Sequence, residues 1–399
     1  MELSWTGKEI AKNLAKTPSK CKLELIKPSS SENVVIAGDN LDALKLLDTK
    51  VKMIYIDPPY NTGRNFFYED KRKDDWLSFM YPRLVLAKEL LTDDGVIFVH
   101  IDENSHAPLK FIMNEIYGKE NFVGEVIRKT NTSINGTKTN FNLQHDYVFI
   151  YAKNKEKVLL KGEEKDLKKI FPYIDENGRW RKKRNLTKPF SKNNYYEIIN
   201  PYTGEVFLPP EGTSWKYCKK TFDRLVKEGK VVFEKTKASD RKNYSFYIKE
   251  YLHEIKRTFN PFHSLFGVDY IYTNEYATKS LKRIFGFAIF SYPKPVEFIE
   301  KLIQYSTNDN DIILDFFAGS GTTGHATVNV GGGRKFILVQ NEEPAIIEDE
   351  RVLNRLKEYF NKNDITILDI LRYRLELLDI DYKLYKIKEN NNGWDYTLR

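Results

Sequence analysis

The sequence predicts an α/β protein built on a doubly wound, mainly parallel, Rossmann-like sheet, interrupted by an inserted α+β domain. Three observations carry that expectation. Short continuous apolar runs alternate with segments of helical spacing, the pattern of parallel strands buried on both faces. The alternation stops after Ala152 and resumes near Pro295. Two turns, one rich in proline and one in glycine, directly follow such runs, where the ligands of open sheets collect.

Taken in order, Val34-Val35-Ile36-Ala37 reads as a strand ending at Gly38-Asp39-Asn40, and Leu41, Leu44 and Leu47 follow at helical spacing. A second strand runs from Val51 to Asp57. Apolar residues at 76, 77, 80, 84, 87, 90 and 91 predict an amphipathic helix, which must accommodate Pro82 and ends near Asp93-Asp94-Gly95. Val96–Ile101 is the next strand, Leu109–Tyr117 the next helix and Val123–Ile127 another strand, with Tyr147–Tyr151 pairing nearby. Residues 152–290 are basic, aromatic and rich in Asn, with turn signals at Asn177-Gly178, Thr203-Gly204 and Pro209-Pro210 and helical spacing only from Phe222 to Glu228. The α/β rhythm then returns as a helix over Pro295–Tyr305, a strand over Ile312–Phe316, a glycine-rich turn with its helix, and a strand over Phe336–Val339. The stretch from Lys388 to Gly393 reads as locally disordered.

Composition narrows the class. At 399 residues, with 41% hydrophobic and 30% charged residues, the chain can bury more than one core and reads as soluble and globular. No apolar run approaches the roughly 18 residues that cross a bilayer, and the first residues lack the apolar stretch of a secretion signal, so a cytosolic protein without membrane contact is expected. Cys21 and Cys218 have neither metal-ligand nor redox spacing; each is expected to be a buried thiol, and no metal is expected. His100, His106 and His145 have no partner pattern and are expected to be structural. The net charge of +8 is unevenly spread: residues 152–290 hold 30 Lys+Arg against 17 Asp+Glu. Such an excess suits phosphates, although a solvated lysine-rich surface gives the same count.

Asp315-Phe316-Phe317-Ala318-Gly319-Ser320-Gly321-Thr322-Thr323 follows a strand and opens a helix. Glycines there let the backbone turn tightly and approach a ligand at the helix N-terminus. Val339-Gln340-Asn341-Glu342-Glu343 supplies an acid about 20 residues on, the spacing at which a carboxylate meets ribose hydroxyls, with Glu343 preferred to Glu342. The pattern alone does not separate a nicotinamide nucleotide from S-adenosylmethionine. Asp57-Pro58-Pro59-Tyr60 ends a second buried strand. Two prolines remove N–H donors, leaving a carboxylate and carbonyls as acceptors beside an aromatic face. Such a set suits an exocyclic amino group of a base extruded from a duplex: Asp57 and the Pro58 carbonyl would accept its hydrogens, and Tyr60 would stack on the ring.

The order of these motifs, proline turn before glycine loop, resembles the permuted β-group of amino-methyltransferases. Tyr55-Ile56-Asp57-Pro58-Pro59-Tyr60-Asn61-Thr62-Gly63, the block from Trp76 to Leu84, Asp94–Val99 and Leu208-Pro209-Pro210-Glu211-Gly212-Thr213-Ser214-Trp215 look like the modification subunit of type III restriction-modification systems. The resemblance implies a seven-stranded sheet with one antiparallel strand and S-adenosylmethionine as cofactor. It also implies base flipping in duplex DNA, with methylation of adenine N6 because Asp rather than Ser stands at position 57. Asp57, Pro58, Pro59 and Tyr60 become the catalytic set. Asp39, Asp57, Phe317, Gly319, Ser320, Gly321, Thr322 and Glu343 become the cofactor contacts, with Asp39 and Phe317 at the adenine and the Pro295 helix beside the methionine portion. Residues 1–151 are then the catalytic half, 152–290 a DNA target-recognition insert, 291–360 the cofactor-binding half and 361–399 a C-terminal extension. Within the insert, Arg179, Trp180, Arg181, Lys182, Lys183 and Arg184 mix an aromatic with cations suited to phosphates or a base edge. A homodimer, and a helicase-nuclease restriction subunit as partner, follow from the same likeness. Two other readings stay open: a DNA-recognition subunit without catalysis, and methylation of RNA or of a protein amide.

Overall fold

A computed structural model describes residues 3–60, 76–132, 142–236, 244–287, 289, 293–347 and 349–390. Asn61, Thr62 and Gly63 of the proline-turn block, and residues 391–393 of the stretch read as disordered, lie outside them. The chain divides into two compact units, Met1–Gly162 with Pro261–Arg399, and Glu163–Asn260.

The first unit is built on one sheet. Its strands, numbered along the chain, are β1 (Cys21–Lys27), β2 (Val34–Ala37), β3 (Val51–Ile56), β4 (Leu91–Ile101), β5 (Phe122–Lys129), β6 (His145–Ala152), β7 (Leu265–Phe266), β8 (Ile312–Asp315), β9 (Lys335–Gln340) and β10 (Lys383–Glu389). Their spatial order is β1-β10-β2-β9-β8-β3-β4-β6-β5-β7. Strands β1 and β6 run against the other eight. The expectation of seven strands with one antiparallel is therefore corrected to ten with two among the described residues. Seven of them, from β2 to β5, form an unbroken block; β1, β10 and β7 extend its edges. The outer strands were hard to read because they lack the continuous apolar run: β1 at the edge, Cys-Lys-Leu-Glu-Leu-Ile-Lys, and β10 one place in, Lys-Leu-Tyr-Lys-Ile-Lys-Glu, are both rich in charge, as strands at an edge commonly are.

Both faces are covered, which is why the inner strands read as unbroken apolar runs. On one face Ile54, Ile56, Ile97 and Val99 pack with Leu44, Met80, Leu84, Leu109 and Ile112 of the helices Asn40–Leu46, Trp76–Leu90 and Glu103–Tyr117. On the other, Met53, Tyr55, Val96 and Phe98 meet Phe298, Ile299 and Leu302 of the helix Val296–Ser306. The helix Trp76–Leu90 continues through Pro82. The helix Glu103–Tyr117 starts six residues before the expected Leu109, capped by the Asp102 carboxylate, which accepts from Asn104 N–H at 3.1 Å.

The second unit is α+β. An antiparallel four-stranded sheet runs Val231–Lys235, Tyr244–Tyr251, Gly178–Lys183, Tyr173–Asp175. It shares a core of Leu186, Phe207, Trp215 and Ile248 with Phe222 and Leu225 of the helix Lys219–Lys227. This unit is narrower than the expected insert at 152–290. Residues 265–266 pair with β5, and Leu281 and Phe285 of the helix Asn274–Phe285 pack on Ile370 and Tyr373. The thiols also differ from expectation: Cys218 is exposed and Cys21 only half-buried. Cys218 precedes the first turn of Lys219–Lys227, where its Sγ lies 3.3 Å from Thr221 Oγ1, and Cys21 opens the edge strand β1.

Residues 361–399, expected as an extension, complete the first unit. The helix Ile367–Leu377 packs Leu368, Leu371 and Leu375 on Val35, Phe336 and Leu338, and β10 lies between β1 and β2. Leu371→Ala should therefore destabilise the protein by about 2–5 kcal/mol, as for other buried leucines. Denaturant unfolding checks this, and a loss below about 1 kcal/mol would mark the segment as an appendage.

Candidate active site

Neighbouring parallel strands end on the same side of a sheet, and β3 lies beside β8 in register, Met53 opposite Ile313 and Ile54 opposite Leu314. The residues that follow them, Asp57 and Phe316-Phe317, are therefore brought together although some 260 positions separate them. One cleft is lined by Asp39, Asn40, Tyr55, Asp57, Pro59, Phe79, Lys294, Asp315, residues 316–320, Thr322, Gln340, Asn341 and Glu343.

At Asp57 the carboxylate is held from two sides. Its Oδ1 accepts from the Tyr60 hydroxyl at 2.5 Å, and its Oδ2 is ion-paired with the Lys294 ammonium. Lys294 Nζ also stands 5.2 Å from the centre of the Tyr60 ring. Burial pushes the Asp57 carboxyl up, but Lys294 and His100 outweigh it and keep the group below its ordinary value. The Pro59 carbonyl accepts from the Trp76 indole at 2.7 Å and the Tyr60 carbonyl from Ser105 at 2.9 Å, which fixes the turn. Among the described residues no group donates to the Pro58 carbonyl.

The glycine loop is equally constrained. Gly319 and Gly321 have φ of 53° and 79°, a region costly for any residue with a Cβ. Gly319 N–H donates to the Gln340 side chain at 2.8 Å. Behind the loop the buried Arg374 donates to Thr322 Oγ1 at 2.8 Å and Ser320 Oγ at 3.2 Å. Phe317 packs edge-on against Phe79, with centroids 5.9 Å apart. Asp39 caps the helix Asn40–Leu46 and pairs with Arg83, while the side chain of Asn40 donates to the Phe316 carbonyl at 2.7 Å. Glu343 lines the cleft; Glu342 is exposed and pairs with Lys386.

The cleft thus gathers Asp39, Asp57, Pro59, Phe317, Gly319, Ser320, Thr322 and Glu343 of the expected residues. Arg179–Arg184 belong to the second unit. There four of the cations share two acids: Arg181 and Lys183 pair with Glu250, and Lys182 and Arg184 with Glu234, while Arg179 donates to the Phe171 carbonyl at 3.4 Å. Trp180 is stacked between Tyr173 and Tyr247. The second unit as a whole holds 23 Lys+Arg against 14 Asp+Glu, and this segment contributes to that excess even though four of its cations are ion-paired.

Sequence reasoning missed Lys294 and Asp315. The first stands in Tyr-Pro-Lys-Pro just before a helix, where nothing local reveals its partner. The second is the last residue of β8, one place before the loop, and so a foreseeable cleft residue. Asp315 accepts from the Thr323 hydroxyl at 2.5 Å and from Phe317 N–H at 3.0 Å. Burial nevertheless pushes its carboxyl up to about 7, helped by the Asp57 charge. A cleft with two carboxylates at its centre, an aromatic pair and a glycine-turned backbone suits a ligand that is cationic at its middle and carries an aromatic base, as S-adenosylmethionine does.

A family model for DNA methylase matches residues 51–347. The Mod subunit of the type III restriction-modification enzyme EcoP15I of Escherichia coli is 29% identical, over 96% of this chain and 71% of its own length. The type II methyltransferase M.KpnI of Klebsiella pneumoniae is 33% identical, over 90% of this chain and 91% of its own. The Mod subunit of the type III enzyme StyLTI of Salmonella typhimurium is 32% identical, over 84% of this chain and 58% of its own.

The raised Asp315 carboxyl has a stability consequence. Because the folded protein binds that proton more tightly than the unfolded chain, its contribution is complete below about pH 4 and is lost as pH rises through about 7. Asp315→Asn should remove this slope, so that the variant gains up to a few kcal/mol on the wild type between pH 4 and 7 and no more above it. Urea unfolding across that range measures the difference, and a constant difference would contradict it.

Proposed function

We propose that this chain, which belongs to the DNA methylase family, transfers a methyl group from S-adenosylmethionine to the N6 amino group of an adenine flipped out of duplex DNA. The observation that carries this reading is the ionised Asp57 at the end of β3, on a cleft shared with the glycine loop, next to a Pro58 carbonyl to which none of the described residues donates.

An exocyclic amino group is a poor nucleophile because its lone pair is delocalised into the base. Two acceptors that each take one of its hydrogens favour a more tetrahedral nitrogen and free that pair. Asp57 suits the task because the Lys294 ammonium keeps it ionised, so it accepts rather than donates. Tyr60, tied to Asp57 through its hydroxyl, offers a ring on which the base can stack, replacing part of the stacking lost from the duplex. When bound, S-adenosylmethionine supplies a methyl group on a positively charged sulfur. Asp57 and Asp315 face that charge, Phe317 and Phe79 offer a surface for the adenine, and Glu343 and Asp39 are acceptors for its hydroxyls and amino group. Alignment rather than acid-base power then supplies most of the rate.

Asp rather than Ser at position 57 favours adenine over cytosine N4. The second unit, +9 by formal charge while the rest of the chain is −1, is proposed to face DNA. Of Arg179–Arg184, the four cations from Arg181 on would contact phosphate by exchanging Glu234 and Glu250 for it. A homodimer and a restriction subunit as partner are proposed on the likeness to Mod subunits, and sedimentation with and without DNA tests the first of these.

The protein is incubated with methyl-tritiated S-adenosylmethionine and mixed-sequence duplex DNA, with RNA and protein as competitors. Label is expected in DNA, as N6-methyladenine after hydrolysis, with Asp57→Ala slower by about 10²-fold or more at retained DNA affinity. Label as N4-methylcytosine would overturn the base assignment. Label confined to RNA or protein, or undiminished in Asp57→Ala, would overturn the reading itself.

A further inference from the structure

Beneath the cleft, four polar side chains are buried side by side on one face of the sheet. They continue the stripes of one face: Met53-Tyr55 on β3, Phe98-His100 on β4, Val148-Asp146 on β6 and Val126-Arg128 on β5 alternate at the period of two that directs side chains to the same side. Tyr55, His100, Asp146 and Arg128 are at most 5% exposed. Tyr55 lines the cleft with Asp57. Its hydroxyl lies 3.0 Å from His100 Nδ1, and His100 Nε2 lies 2.7 Å from Asp146 Oδ2. Arg128 grips both oxygens of Asp146, with Nε 3.0 Å from Oδ1, and is itself tied to the Tyr272 carbonyl at 2.8 Å and to Asn274 at 2.9 Å. Burying four such groups is costly unless they are paired, and a plain apolar filling would serve packing as well.

The proposed reaction, on which this inference rests, has a proton to dispose of. The lone pair of the amino nitrogen forms the N–C bond as the S–C pair withdraws to sulfur, and the nitrogen is left with two hydrogens and a positive charge. Asp57 is a poor acceptor for either, since Tyr60 and Lys294 occupy its oxygens and hold it below the ordinary carboxylate range. We propose that Tyr55, His100 and Asp146 form a path that takes up this proton, with Arg128 fixing its inner end. One N–H proton passes to the Tyr55 oxygen as the Tyr55 proton passes to His100 Nδ1, and the N–H electron pair returns to the nitrogen. Tyr55 is never left as an anion, in keeping with burial and the Asp57 charge, which hold its phenol well above the ordinary value.

Two details fit a transient carrier. His100 Nε2 is close to Asp146 but is not aligned for a hydrogen bond. The neutral ring gains little from that contact, whereas the protonated ring gains a charge attraction that depends less on angle. Burial nonetheless keeps the His100 pKa below its ordinary value against the pull of Asp146, so the proton is not trapped there and returns through Tyr55 to water once the product has left. The charged and titratable groups facing His100 are Asp146, Arg128, Asp57, Lys294, Tyr55 and Tyr60; the helix Val296–Ser306 presents only the ring of Phe298, at 6.0 Å.

Single-turnover methylation of DNA against pH tests the path, using Tyr55→Phe, which keeps the ring, and His100→Gln. Wild-type rates should fall on the acid side as His100 protonates, below the ordinary histidine value of about 6.5. Each variant should be about 10²-fold slower at neutral pH and lose that acid limb, while Tyr55→Phe keeps its DNA affinity and melting temperature. Nitrogen-15 NMR of the protein without ligands adds a readout independent of turnover: His100 Nδ1 should be the unprotonated nitrogen, and its shift should move in Tyr55→Phe. Rates and acid limbs like the wild type in both variants would overturn the path and leave the methylation reading intact. An acid limb lost only in Asp315→Asn would also overturn it, by assigning the proton to that carboxylate. No label on DNA from the wild-type protein would remove both proposals.

Discussion

The parallel pairing of β3 with β8 is the constraint from which the rest of the structure follows. It sets the ends of two strands from opposite ends of the chain on one side of the sheet, and each is followed by a turn that only its own residues permit. The prolines after Asp57 strip donors from one turn; the glycines after Ala318 let the other double back. Everything the cleft can do depends on these two turns being neighbours, and neighbourhood here is a backbone property, enforced by hydrogen bonds between the two strands. Helices on both faces bury the strands and so hold that pairing in place.

Charge is used at the site with unusual economy of solvent. Asp57 and Asp315 occupy the same cleft, and their environments push them in opposite directions: Lys294 holds the first ionised, while burial drives the second toward the neutral acid. Two carboxyl groups of one kind are thereby made chemically different by what surrounds them. A third, Asp146, is held ionised far below the surface by Arg128, although burial opposes it. The second unit uses charge differently. On its strand Gly178–Lys183 cations are spent on Glu234 and Glu250, so that cohesion of the sheet and attraction of a polyanion compete for the same side chains.

Much of this was legible in the sequence, and the failures have physical causes. The inner strands were visible because strands buried on both faces must be apolar without interruption. The two turns were visible because proline and glycine are used where the backbone has no alternative. The outer strands β1 and β10 were not, because charged alternation carries little weight beside an apolar run. Thr366-Ile367-Leu368-Asp369 is a capping box that announces the helix Ile367–Leu377, but in a segment read as an extension it went unnoticed. Lys294 could not be found from sequence, since its meaning lies in a carboxylate 237 positions away. His100 was set aside for want of a partner, and its partners turned out to sit on the two flanking strands; the period-two stripe would have pointed to all four residues had the strand register been known.

The order of strands along the sheet also bears on how the protein comes into being. While the ribosome makes the chain, β3, β4, β5 and β6 emerge together and can pair at once, but β8, which covers the open side of β3, follows about 250 residues later. At roughly 5–20 residues per second, β3, a strand buried along its whole length in the finished sheet, stands with an unsatisfied edge for some tens of seconds. The second unit, made in that interval, folds on its own core and cannot relieve it. The middle of synthesis is therefore when the nascent chain is most open to pairing with another chain, an exposure set by the topology and not by final stability.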